Sequence, residues 1–170
     1  MTSRVGIGFD AHQLSQGRPL VLGGVTIPFH KGLSGHSDGD VLVHAIIDAL
    51  LGAAGLGDKG VYFPSSDPSY EGVSSLALLS KTALLLNNQV SERETSPSVS
   101  WRIVNVDATM LAQRPVLAPF IKAFKEKIGA ALSIPEGRVS VKVTTTDHLG
   151  FVGREEGMAA YAVALLEEIE

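Results

Sequence analysis

Two kinds of hydrophobic spacing alternate along the chain. Arg4 to Asp10 and Leu20 to Ile27 carry the short period of strands, the second bent or bulged at Gly23-Gly24, and Trp101 to Leu111 and the alternating Val139, Val141 and Val143 repeat it later. Val41 to Ala54 instead places apolar residues at helical spacing behind Ser37-Asp38-Gly39-Asp40, a stretch of S-x-x-D form, which predicts a capped helix. Further helices are predicted over Val73 to Leu86, from Pro119 to about Leu132, and over Glu155 to Glu168. The turn-rich stretch from Gly55 to Pro68 separates the first two helices. Asn87 to Ser100, almost wholly polar and containing Pro97, reads as a mobile surface loop. This order of elements predicts one domain over residues 1–170: a single sheet layer covered by helices, α/β or α+β. An apolar opposite sheet face would have to be buried by another subunit.

Composition narrows the chemistry. Eighteen Asp and Glu against 14 Lys and Arg give a net charge of −4, and 45% hydrophobic residues supply a core, so intrinsic disorder is excluded. The acidic balance argues against a nucleic-acid partner, which would need clustered Lys and Arg. The longest apolar run, the nine residues Met158 to Leu166, is too short to span a bilayer, and Met1 to Asp10 has no signal-peptide form. With no cysteine, thiolate chemistry is excluded and any metal must sit on His, Asp or Glu. The dinucleotide fingerprint fails because Ala11 stands where Gly6-Ile7-Gly8 would need its third glycine, and P-loop, H-E-x-x-H and EF-hand patterns are missing. Four of the five His and 12 of the 18 Gly lie before residue 61, which marks the first third as the region of a site.

Asp10 and His12, two apart at a strand end, point to the same side if strand geometry persists. On the capped helix, Asp40, His44 and Asp48 form an i, i+4 stripe away from Leu42, Ala45, Ile46 and Ala49. Asp10, His12 and His44 would hold a divalent ion such as Zn2+ with a fourth position open, as in catalytic sites, and Asp48 could orient His44. Taken singly, each also fits a plain role: Asp10 ending a strand, His12 on a surface turn, His44 hydrogen-bonded and half exposed. His36 and Ser37 precede a helix N-terminus that favours an anion or is simply capped. A second polar cluster, Lys142 and Thr144-Thr145-Thr146-Asp147, lies at the end of the late strand, where α/β sheets often bind ligands, although Thr is also good strand material. Arg154 opens the last predicted helix, where it answers an anion, an acidic partner or a surface salt bridge.

Gly8-Phe9-Asp10-Ala11-His12, His36-Ser37-Asp38-Gly39-Asp40, His44 to Ala53, Gly57-Asp58-Lys59-Gly60, Phe63-Pro64, Thr144-Thr145-Thr146 and Leu149-Gly150-Phe151-Val152-Gly153-Arg154 resemble the 2-C-methyl-D-erythritol 2,4-cyclodiphosphate synthase family along nearly the whole chain. The resemblance implies an α+β, ferredoxin-like sandwich whose uncovered sheet face packs in a homotrimer core, with active sites between subunits. It implies ring closure of 4-diphosphocytidyl-2-C-methyl-D-erythritol 2-phosphate with release of CMP, in non-mevalonate isoprenoid biosynthesis. Asp10, His12 and His44 match zinc ligands, or ligands of another divalent transition metal, and His36 and Thr145 match transition-state stabilisers. Asp58, Lys59 and Gly60 match the holder of the methylerythritol hydroxyls, with Ser37, Phe63 and Asp67 also at the substrate. Ala112, Gln113, Arg114, Pro115, Val116, Leu117 and Ala118 match the cytosine-binding segment, and Thr144, Thr145 and Thr146 the cytidine diphosphate site. Phe9, Phe151, Arg154 and Glu156 correspond to a cavity on the trimer axis, with Phe151 and Arg154 also counted at the substrate.

Three departures stand out. Asp147 replaces the family's usual Glu at a second cation, Mg2+ or Mn2+, and is one methylene shorter, so a water-mediated contact is the alternative. Val116 replaces a common Lys, and residues 87–100 look like an insertion. Rival readings are a metal-dependent phosphohydrolase and a non-catalytic trimer binding isoprenoid diphosphates through Phe9, Phe151 and Arg154. No membrane partner is implied. The expected compartment is the bacterial cytoplasm, or a plastid if a transit peptide has been removed.

Overall fold

The computed structural model describes residues 2–87 and 100–169. The polar stretch read as an insertion therefore lies outside the described residues, apart from its two ends. In order come β1 (Ser3–Gln16), β2 (Leu20–Leu22), β3 (Val25–Ile27), β4 (Lys31–Leu33), α1 (Val41–Ala54), α2 (Lys59–Tyr62), α3 (Ser75–Asn87), β5 (Ser100–Leu111), α4 (Ile121–Leu132), β6 (Val139–Thr144), α5 (Gly150–Gly153) and β7 (Gly157–Ile169). The main sheet has five strands in the order β4-β1-β7-β5-β6, antiparallel except for the β5–β6 pair, which α4 connects. The fold is α+β: α1 lies on β1 and β7, α4 on β6, and α3 packs against both helices.

The predicted strand over Leu20 to Ile27 is instead a separate two-stranded hairpin, β2 and β3. It turns at Gly23 and Gly24, whose φ values of 54° and 70° favour residues without a Cβ. The helix predicted from Val41 to Ala54 is α1, though its N-cap is Asp40, and Gly55 closes it in the left-handed conformation. Glycine on β1 lets α1 approach the sheet closely: a Cβ on Gly6 would stand 2.0 Å from the Ala49 carbonyl oxygen.

The predicted last helix is a strand. Residues Gly157–Ile169 form β7, the central strand, paired with β1 on one side and β5 on the other. Ala-rich sequence has high helix propensity, but the burial alternates with period two: Ala160, Ala162, Ala164 and Leu166 are buried beneath the helices, whereas Tyr161 and Val163 face away. Small side chains are needed there because α1 sits so low, and tertiary packing overrides propensity.

The other sheet face carries Val5, Ile7 and Phe9 from β1 opposite Tyr161 and Val163 from β7, all exposed in the single chain, with the Phe9 and Tyr161 ring centres 4.7 Å apart. This is the uncovered apolar face that the element order anticipates. No helix among the described residues is long and apolar enough to cross a membrane.

Candidate metal centre

β1 does not end at Asp10 but runs on to Gln16, so Gly6, Gly8, Asp10, His12 and Leu14 all face α1. His44, one turn into α1, is buried and meets them. Asp10 Oδ2 lies 2.8 Å from His12 Nε2 and 2.9 Å from His44 Nδ1, and the two ring nitrogens are 3.2 Å apart. His12 Nδ1 faces the Ser34 carbonyl, which can only accept, so Nδ1 carries the proton and neutral His12 turns a lone pair toward Asp10. A carboxylate oxygen and an imidazole lone pair at this separation repel unless a proton or cation lies between them. The spacings are close to the roughly 3.3 Å edge of a tetrahedron around an ion such as Zn2+. The donor set thus fits a divalent cation.

Desolvation is the largest influence on Asp10 and would raise its pKa; with no cation between them, hydrogen bonds from His12 and His44 when those rings are protonated toward it, together with the charge of Lys59, hold it well below the usual carboxylate range. For His12, desolvation favours the neutral ring and is outweighed by Asp10, so its pKa is raised.

A cavity of about 180 Å3 opens beside the three residues, lined also by His36, Ser37, Lys59, Phe63, Ser65 and Tyr70. Lys59 Nζ approaches Asp10 Oδ2 to 3.3 Å and Asp48 Oδ2 to 3.7 Å. Asp48 does not orient His44, as its helical position suggests; its Oδ1 accepts the Lys59 backbone N–H at 2.7 Å, anchoring α2 to α1. His44 Nε2 instead meets Ser37 Oγ at 3.0 Å and Ser75 Oγ at 2.9 Å. Nor does Asp40 join the His44 stripe. Fully buried, it accepts from the backbone N–H groups of Val43, Gly23 and Gly24, fastening the hairpin to the start of α1. Burial pushes its carboxyl up to about 7 against the pull of those N–H groups. His36 Nε2 lies 3.1 Å from the Asp67 carbonyl, and Asp58 caps α2 by accepting from Gly60 N–H at 2.8 Å.

The second cluster gathers elsewhere on the chain, at the ends of β5 and β6. Ala112 N–H donates to the Thr144 carbonyl at 3.0 Å, and His148 N–H to Gln113 Oε1 at 3.2 Å. Thr145 Oγ1 donates to Asp147 Oδ1 at 3.3 Å. Residues 112–118 and 144–147 do not line the cavity beside Asp10. Arg154 is not at a helix start; it caps the end of α5 and pairs with Glu156 at 2.9 and 3.0 Å. Phe151, beside it, is exposed.

The family model for YgbB matches residues 3–167. This chain belongs to the YgbB family. As a YgbB protein it is 52% identical over 162 residues to the 2-C-methyl-D-erythritol 2,4-cyclodiphosphate synthase of Symbiobacterium thermophilum, covering 95% of this chain and 97% of that one. It is 53% identical over 163 residues to the synthase of the same name from Syntrophobacter fumaroxidans, with 96% of each covered. Its fold is similar to IspF of Plasmodium falciparum, solved as a CDP complex, with TM-score 0.79 and 31% identity over 99% of this chain and 97% of that one.

Within this YgbB chain, the triad from two distant segments is the part that the spacing of Asp10, His12 and His44 anticipates. Ser75 and the ammonium of Lys59 are not anticipated. Ser75 is buried beside His44 and reads in the sequence only as a residue near a helix start. Asp48 holds the Lys59 backbone N–H, and the Lys59 ammonium lies 3.3 Å from Asp10 Oδ2.

Proposed function

We propose that this chain is a 2-C-methyl-D-erythritol 2,4-cyclodiphosphate synthase, a phosphorus–oxygen lyase acting on 4-diphosphocytidyl-2-C-methyl-D-erythritol 2-phosphate. The observation that carries the reading is the convergence of Asp10, His12 and His44 on one point beside an open cavity, in a chain about half identical to synthases of that name.

In the reaction, an oxygen of the 2-phosphate bonds to the β-phosphorus. The bond from that phosphorus to the bridging oxygen breaks, and CMP leaves with the electron pair. Asp10, His12 and His44 would hold Zn2+ or another divalent transition metal. When bound, such an ion draws charge from a phosphoryl oxygen. The chain's own work is to fold a flexible diester until its phosphate reaches phosphorus in line, and to keep water from that phosphorus. His36, Ser37 and Lys59 line the cavity and offer groups to an anion, and Asp58 with the Lys59-Gly60 backbone would take the methylerythritol hydroxyls. No protein nucleophile is required.

The cytidine side of the site would come from residues 112–118 and 144–147 of a neighbouring copy, with Asp147 reaching Mg2+ or Mn2+ at the diphosphate directly or through water. The separation of the two clusters on one chain and the apolar face of Val5, Ile7, Phe9, Tyr161 and Val163 both support a homotrimer. Phe9, Phe151, Arg154 and Glu156 would then line its axis.

Incubating the purified protein with the cytidyl substrate and Mg2+, followed by phosphorus NMR, tests the reading. Cyclic diphosphate with CMP is expected. A linear phosphate product would establish a phosphohydrolase, and no turnover by metal-loaded protein would favour a non-catalytic binder.

A further inference from the structure

Ser75, the first residue of α3, is completely buried, and the chemistry above does not use it. Its backbone N–H donates to Asp38 Oδ2 at 2.9 Å, and its hydroxyl donates to Asp38 Oδ1. The backbone N–H of Asp40 also donates to Asp38 Oδ1, at 3.2 Å. Among the described residues, every hydrogen-bond partner of the Asp38 side chain is therefore a donor. Asp38 acts only as an acceptor, and the single hydroxyl proton of Ser75 is committed to it.

His44 Nε2 stands 2.9 Å from that same Ser75 oxygen. An oxygen whose proton points elsewhere can only accept, so Nε2 must carry the ring proton of His44, and the lone pair of the neutral ring falls on Nδ1. Nδ1 is the atom that faces Asp10 Oδ2 at 2.9 Å and His12 Nε2 at 3.2 Å. Ser37 Oγ, 3.0 Å from Nε2 and 3.4 Å from Ser75 Oγ, is compatible with this direction, because it can accept from the ring and donate to Ser75.

We propose that Asp38 and Ser75 form a hydrogen-bonded relay that holds His44 in its Nε2–H tautomer and so presents the Nδ1 lone pair to a divalent cation. Both are positioning residues. Neither reaches the cation, and both act through the orientation and basicity of His44, as outer partners of metal-bound histidines generally do. The relay joins the loop before α1 to the start of α3, so the docking of α3 sets the state of a ligand on α1. The inference rests on the reading of Asp10, His12 and His44 as a metal centre.

The test uses the full-length protein with 15N-labelled histidine, stripped of metal and then titrated with Zn2+ against a chromophoric chelator. The wild-type protein is expected to show His44 protonated at Nε2 before zinc is added. Ser75→Ala, folded by circular dichroism, is expected to lose that single tautomer and bind zinc about 10–100-fold more weakly, and Asp38→Asn is expected to weaken zinc in the same direction. A wild-type His44 without a proton on Nε2, its ring proton on Nδ1 alone, would overturn the relay without any variant. So would a Ser75→Ala protein whose zinc affinity is within twofold of wild type. Neither readout depends on cyclisation, so failure of the relay and failure of the synthase reading are separate results.

Discussion

Gly8 on β1 and Ala45 on α1 are in such close apposition that a Cβ at residue 8 would stand 1.9 Å from the Ala45 carbonyl oxygen. Ala45 follows His44, and Gly8 lies two residues before Asp10, so this contact sets the distance between the two halves of the candidate metal centre.

The Gly8→Ala variant must move backbone rather than a flexible side chain. It is expected to lose at least about 1–3 kcal/mol of stability in denaturant titration, as overpacked cores do, and to bind zinc more weakly than wild type. Gly52→Ala, on α1, is the control, since its Cβ would meet only the Ile7 carbonyl oxygen of β1, at 3.8 Å. It is expected to be neutral or to stabilise by up to about 1 kcal/mol through helix propensity.

His44→Ala removes a ligand rather than an outer partner. Zinc content by elemental analysis and CMP release should both fall by more than the roughly 100-fold that outer-partner losses cost. A zinc-free His44→Ala protein with full turnover would sink the assignment of the triad.

Protons and the cation compete for His12. Because Asp10 raises the His12 pKa, the charged ring persists to higher pH than in an unperturbed histidine. Zinc affinity is therefore expected to fall as pH drops through that raised value, by about tenfold per unit while one proton is displaced. A chelator competition series from pH 8 to pH 5 checks the slope. A flat profile would be incompatible with His12 as a ligand.

Lys59 also competes with a cation, since its ammonium already lies 3.3 Å from Asp10 Oδ2. Its side chain is 30% exposed and the pair is correspondingly screened, so Lys59→Met is expected to raise zinc affinity by no more than about fivefold. The same variant should raise KM for the anionic substrate. Tighter zinc together with weaker substrate binding separates a direct electrostatic role from a general loss of structure.

Asp40→Ala leaves the N–H groups of Val43, Gly23 and Gly24 without their acceptor. Cap loss plus stranded donors should cost about 2–4 kcal/mol in urea unfolding. The raised Asp40 carboxyl stabilises the fold fully below its unfolded value near 3.8, and this contribution is lost as pH rises toward about 7. The penalty of the variant should accordingly be larger at pH 5 than at pH 8.

Legibility differed by element for physical reasons. Val41 to Ala54 announced itself because its period, Asp40 and Gly55 all agree on one helix. The Asp10, His12 and His44 grouping was readable because two local periodicities each fix a direction. Gly157–Ile169 reads as a helix because its alanines have high helix propensity, whereas the close-packed helix they lie beneath is a constraint that exists only in the folded sheet. Ser75 was invisible as a site residue, since Asp38 and His44 lie 37 and 31 positions before it. Asp48 differs from its sequence pattern for the same reason: the i, i+4 rule places its side chain near His44, but the α2 backbone claims it.

The position of β7 also governs when the protein can form during its synthesis. It is the latest of the described elements in the sequence, yet β5 and nearly the whole length of β1 find an antiparallel partner in it. On a ribosome, β1 therefore waits for well over a hundred residues with one edge unpaired, and the sheet closes only after residues 157–169 have emerged. Nascent chains of this protein should depend on whatever shields exposed strand edges in the cell.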